Sequence, residues 1–125
     1  MLPSQDEEYL AEKGLAYEYQ TEGTLLLIIH DYPLPVGYVP AKTDLLIQIP
    51  SGYPGVTLDM FYVDPPVAYA TGERPPASDA TATFLGRTWQ RFSRHLAAQS
   101  WRPGIDGLAS YMTLIRHDLE RGVAA

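Results

Sequence analysis

The sequence predicts an α+β fold: an N-terminal helix, a four-stranded antiparallel meander, a long loop, and a C-terminal helix packed on the sheet. Three observations predict it. Short apolar runs rich in Leu, Ile, Val and Tyr recur between residues 15 and 63 and read as strands. Near the carboxyl end, Ile105, Leu108, Met112, Ile115 and Leu119 recur at spacings of 3, 4, 3 and 4, which places them on one helical stripe. Between these regions, residues 68–83 are rich in Ala, Thr, Pro and Gly and show neither period. Strands and helices segregated along a chain give a layered α+β arrangement, with helices on one face of the sheet.

Ser4 stands at the start of the first helix as its cap, its side-chain oxygen satisfying exposed N–H groups of the first turn, ahead of Asp6, Glu7 and Glu8, whose charge complements them. The helix runs to about Lys13 and stops at Gly14. Strands are expected over residues 15–21, 24–30, 43–49 and 58–63. Glu22-Gly23 supplies a tight hairpin between the first two. In the third, Leu45, Ile47 and Ile49 alternate with Leu46 and Gln48, one face buried and the other mixed. The Tyr- and Pro-rich run from Tyr32 to Pro40 reads as a stiff connection, with a ligand-facing surface as the other reading. In the last helix Asp106 can cap the first turn, Arg116, His117 and Arg121 suit the negative end of the dipole, and Gly122 is the stop. A 16-residue structureless loop at 68–83 is unusual inside a compact domain and points to function. Neither half of the chain can bury a core alone, so residues 1–125 read as one domain.

Composition narrows the function. Apolar residues make up 46% and charged residues 19%, a globular balance. A formal charge of -6 argues against a nucleic-acid backbone or an anionic membrane as partner and suits a basic or mixed-charge protein. There is no cysteine, which excludes a disulfide framework, a thiolate zinc site and a cysteine nucleophile together. The acidic first eight residues contain no apolar run and so do not read as a secretory signal. The longest apolar run, 25–29, is far too short for a membrane span. The expected location is cytoplasmic.

Two blocks stand at fixed places in this layout: Pro50-Ser51-Gly52-Tyr53-Pro54 after the third strand, and Trp101-Arg102-Pro103 leading to Ile105 and Asp106. Their first meaning is architectural: Pro54 restricts Tyr53 and fixes its own φ, and Trp101 is a large ring suited to plug a gap. With the element order, however, they make the chain resemble the ubiquitin-conjugating (UBC-like) superfamily, and within it the bacterial branch called prokaryotic family E. There a Pro-x-x-Tyr-Pro turn follows the third strand, and a Trp-x-Pro turn opens a helix. The resemblance spans residues 9–119 and is specific in those two blocks. It implies a ubiquitin-like protein, its activating enzyme or a peptidase as partner, and a catalytic Cys eight residues before the Trp. Position 93 is Ser. The family's His-Pro-Asn run is absent, Val63-Asp64-Pro65-Pro66 standing in its place, and Thr57-Leu58 replaces the usual tandem Pro.

These departures set the candidate residues. Ser93 with His95 forms a possible nucleophile and base, sharing a face if they lie on a strand. The plainer alternative has Ser93 shaping a loop and His95 bonding a backbone carbonyl; no orienting Asp or elbow glycines accompany the pair. Trp89, Arg91, Arg94, Trp101 and Arg102, with Arg87 and Phe92 nearby, form a basic-aromatic cluster in an acidic chain. Exposed, it would suit the carboxylate of a ubiquitin-like tail; with Trp89 and Phe92 packed inward, it is core with solvated cations. His30, Asp31, His95 and His117 are scattered without ligand spacing, so neither a metal nor a cofactor is expected. The resulting expectation is a non-covalent binding or adaptor module. The alternative is an acyl-carrying enzyme that uses Ser93, or a Cys replaced there.

Overall fold

The computed structural model describes residues 2–95, 101–102 and 105–124. Helix α1 (Ser4–Glu12) starts directly after Pro3, which occupies the N-cap and whose carbonyl accepts from Asp6 N and Glu7 N. Ser4 is therefore the first helical residue and not the cap. Gly14, at φ 67, turns the chain out of the helix as its sequence position predicts.

The four expected strands are present as β1 (Ala16–Glu22), β2 (Thr24–Pro33), β4 (Lys42–Ile49) and β5 (Asp59–Asp64), paired antiparallel in succession. Gly23, at φ 75, makes the β1–β2 turn. The short strand β3 (Tyr38–Val39) lies between β2 and β4 and pairs with β6 (Ala68–Tyr69). The main sheet is larger than a four-stranded meander. Strands β7 (Ala80–Phe84) and β8 (Arg87–His95) extend it to six, in the order β1-β2-β4-β5-β8-β7. Residues 68–83 are therefore not one loop: they hold β6 and most of β7.

Physical reasons account for both missed strands. Strand β7 reads Ala-Thr-Ala-Thr-Phe, whose small residues hide the alternation. Strand β8 buries Trp89 on one face and Phe92 on the other, so a two-sided strand shows no clean period. Between them Leu85 and Gly86, at φ 55 and 74, form the two-residue turn that a right-twisted hairpin favours. The intervening segment is pinned by buried Gln90. Its Oε1 accepts from Val67 N at 2.8 Å, and its Nε2 donates to Val67 O at 3.2 Å and Ser78 O at 3.1 Å.

Helix α2 (Leu108–Ala124) crosses one face of the sheet. Leu108, Tyr111, Met112, Ile115 and Leu119 join Leu10 of α1 and Leu27, Ile29, Leu45, Ile47, Phe61 and Phe92 of the sheet in the main core. Each such side chain contributes about 1.5–3 kcal/mol on burial. Ile105 does not belong to this stripe: it precedes the helix and is 67% exposed. Nor does Gly122 end the helix. A Cβ there would lie 2.6 Å from Tyr69 Oη, so glycine permits the close approach of β6 to α2. On the opposite face of the sheet, Leu26, Ile28, Leu46, Tyr62 and Trp89 form a second buried cluster under Ala82, Phe84 and Leu85. Among the described residues no helix is long and apolar enough to cross a membrane.

Candidate functional site

The two distinctive sequence blocks meet in space. Trp101, 7% exposed, donates its indole N–H to Pro54 O at 3.0 Å, and its ring centroid lies 6.3 Å from that of Tyr53. Tyr53 Oη in turn donates to Asp6 Oδ2 at 2.5 Å, while Asp6 Oδ1 accepts from Leu108 N at 3.4 Å. Asp6, 3% exposed, thus bridges α1, the β4–β5 turn and the first turn of α2. Its negative charge faces the positive end of the α2 dipole.

Asp106 does something other than cap that helix. Its Oδ2 accepts from Arg102 N at 2.7 Å, and its own N–H returns to Arg102 O at 2.8 Å, closing the turn that follows Trp101. Arg102 also forks onto the carboxylate, at 3.3 Å from each nitrogen. That side-chain bond, followed by the Arg102 amide, holds the Asp106 carboxyl below its ordinary pKa. The cap falls to Asp6, 102 residues from Leu108 in sequence, which no local pattern could reveal. A recess of about 320 Å³ opens here, lined in part by Gln5, Asp6, Arg102, Ile105 and Asp106. Arg102 stays 64% exposed at its edge.

Position 93 lies on β8 and is half-buried, with its N–H bonded to Ala77 O at 3.1 Å. The neighbouring Phe92 stacks on Phe61 at a centroid distance of 4.7 Å. His95 and Arg94 also belong to β8, but their side chains lie outside the described residues, as do residues 96–100. Ser93 and His95 are therefore strand positions. Trp89 is fully buried, donating Nε1–H to Phe84 O at 3.2 Å. Arg91 is half-buried, and its Nε is shielded from solvent without a hydrogen-bond partner among the described residues. Of the basic-aromatic cluster, Trp89, Phe92 and Trp101 face inward, and Arg102 is the member with the most exposed described side chain.

A polar ladder across the sheet was not evident from the sequence. Arg87 Nε donates to Asp64 Oδ2 at 2.8 Å, its Nη2 reaches Asp44 Oδ2 at 3.2 Å, and its guanidinium lies 4.4 Å from the Trp89 ring centroid. His30 continues the row, with Nδ1 3.6 Å from Asp44 and Nε2 2.8 Å from Glu18. Burial pushes the Asp44 carboxyl up, but the Asp31 amide, Arg87 and His30 outweigh it and leave the pKa below its usual value. The signal was the charge at Asp44 and Asp64, but only the β4–β5 register, which sets these two directly opposite, makes Arg87 between them intelligible. Asp64 is the second residue of the run Val63-Asp64-Pro65-Pro66 that stands where His-Pro-Asn was sought, and it contributes to the ladder. Among the described residues no three His, Asp or Glu side chains gather as a metal site.

Comparison with curated proteins and with solved structures yields no match. The model of one protein family, prokaryotic E2 family E, matches residues 2–122, which takes in both blocks, the whole sheet and nearly all of α2. On that match, and on the α+β layer that carries it, this chain belongs to prokaryotic E2 family E.

Proposed function

We propose that the chain is a pseudoenzyme of a ubiquitin-like modification system, a UBC-like module that binds a ubiquitin-like protein or its activating enzyme without carrying the acyl group. The observation behind this reading is that the UBC-like resemblance implies a catalytic cysteine and the chain has none in 125 residues. Sulfur matters because a thiolate accepts an acyl group near neutral pH and yields it again to an amine. A serine hydroxyl needs an adjacent base and would form a far less reactive oxyester.

Binding groups are at hand without that chemistry. Arg102 presents an exposed guanidinium beside the Trp101 turn, a group suited to a partner's carboxylate. In this reading Arg91, Arg94 and Arg102 meet the partner, while Trp89 and Trp101 hold the surface that displays them. Calorimetric titration with a ubiquitin-like protein and with an activating enzyme for it tests the idea. Binding that weakens in Arg102→Ala, with no adduct after incubation with activating enzyme and ATP, is the expected result. Absence of affinity for either protein would remove the reading. An adduct resistant to thiol and cleaved by base would replace it with an acyl-carrying Ser93, served by His95.

A further inference from the structure

Strand β7 ends the six-stranded sheet, so among the described residues one side of its backbone has no neighbouring strand. The two-residue turn fixes which groups point outward. Phe84 and Arg87 close that turn, and in a hairpin of this length the closing pair exchanges its hydrogen bonds. Pairing alternates from there, so Ala82 and Ala80 also point toward β8. Thr81 and Thr83 aim their N–H and C=O groups away from the sheet. Among the described residues, neither threonine makes a backbone hydrogen bond to another element, and both are exposed.

Exposed edges are normally blunted by charge, proline or a bulge. Strand β7, Ala-Thr-Ala-Thr-Phe, has no charge and no proline, and its pairing with β8 runs without a register shift. The opposite edge, β1, carries Glu18 and Glu22. In a chain of net charge -6, the residues of β7 themselves bring no like charge to an identical copy, the nearest acidic group at its turn end being Glu22, which accepts from Leu85 N at 2.9 Å.

From this geometry we infer that β7 pairs antiparallel with β7 of a second copy, forming a two-fold dimer with one continuous sheet. With the axis at Ala82, Thr81 of each copy faces Thr83 of the other. The outward groups then match donor to acceptor, two hydrogen bonds per Thr pair. Ala80 lies opposite Phe84, and the side chains meeting across the axis are Thr on one face and apolar on the other, pairings that stabilise sheets. The first charged residue in the register, Asp79, meets Leu85. The inference stands apart from the partner proposed above, since it needs only this chain.

Sedimentation equilibrium at rising concentration, up to about 1 mM where weak interfaces are populated, tests it on the intact chain. The mass should climb from 13.9 kDa toward twice that value. Thr83→Pro removes an outward N–H and leaves the β7–β8 ladder whole. It deletes two of the intermolecular bonds, each worth about a factor of five, so dimerisation should weaken about 30-fold. The double variant Thr81→Lys, Thr83→Lys keeps every backbone group and sets like charges opposite, and it should also sediment as a monomer. Hydrogen exchange at the Thr81 and Thr83 amides should slow as concentration rises. A wild-type chain that stays monomeric to the top of the range, or a dimer that both variants leave intact, overturns the inference. So does an edge that takes up only a foreign peptide.

Discussion

Tyr53 Oη donates to Asp6 Oδ2 at 2.5 Å, joining a helix and a turn 47 residues apart through a carboxylate that also receives the amide of Leu108. Gly107 leaves room for this arrangement, since a Cβ there would lie 3.2 Å from both the Asp6 and Tyr53 oxygens. The two family blocks and α1 are thus assembled around one buried acceptor.

Removing that acceptor should be costly. Asp6→Ala leaves the Tyr53 hydroxyl and the Leu108 amide without their partner, and bonds to a charged acceptor are worth about 1.5–3 kcal/mol each. A loss of about 3 kcal/mol is expected for Asp6→Ala and about 1–2 kcal/mol for Tyr53→Phe. In urea titrations the double variant should lose clearly less than the sum, because both changes break the same bond. Additive losses would show that the pair does not couple.

The same contact predicts alkaline sensitivity. Burial, then the hydrogen bond and charge of Asp6, push the Tyr53 hydroxyl well above its ordinary pKa. Tyr19, bonded to Glu7 at 2.6 Å, is raised by burial first and then by that bond. In the unfolded chain both hydroxyls ionise near pH 10, about the free tyrosine value; in the folded chain they keep their protons to higher pH. Their contribution is complete below about pH 10 and is lost as pH rises above it, because the unfolded state then binds fewer protons. Unfolding free energy measured from pH 9 upward (about one unit below the tyrosine value) should fall more steeply in the wild type than in Tyr53→Phe. Parallel curves would contradict this.

Across the sheet the sign reverses. Asp44 is held low despite its burial, and Glu18 is held low first by Gln20 and then by His30. Their stabilisation is present above the unfolded carboxylate values of about 4 and fades as pH falls through the lower folded ones. Arg87→Met keeps an apolar stem over Trp89 but breaks the bonds to Asp44 and Asp64. With Arg87 40% exposed, the expected loss at pH 7 is about 1 kcal/mol. The gap between variant and wild type should narrow below about pH 4. A gap that stays constant into acid would assign the loss to packing alone.

What was legible in the sequence is what local pattern encodes. The ranges 24–30 and 43–49 fall inside β2 and β4, since runs such as Leu25 to Ile29 fit little else between Gly23 and the following prolines. The stripe Leu108, Met112, Ile115 and Leu119 marks the buried face of α2, but Ile105 continues the same spacing and lies outside it, because periodicity does not mark where a helix begins. Strand β8 escaped because Trp89 and Phe92 are buried on opposite faces. The Asp6–Tyr53–Leu108 bridge escaped because its parts are brought together only by the finished fold, and Asp6 read as an ordinary first-turn acid. The family resemblance rested on Tyr53-Pro54 and Trp101, and these are the residues that touch.

Position 93 supplies the last prediction. It sits half-buried on β8, eight residues before Trp101, where the resemblance places the acyl acceptor. If that assignment holds, the missing element is the sulfur atom and not the scaffold. Ser93→Cys, mixed with activating enzyme, ATP and the ubiquitin-like protein, should form an adduct that a reducing agent removes. The introduced thiolate attacks the carbonyl carbon of the activating enzyme's thioester, and that enzyme's thiolate departs. Wild type should give no such band on a non-reducing gel. A variant that still binds its partner but never acquires the adduct would show that residue 93 is not the acyl seat, and that this member has lost more of the conjugating site than its nucleophile.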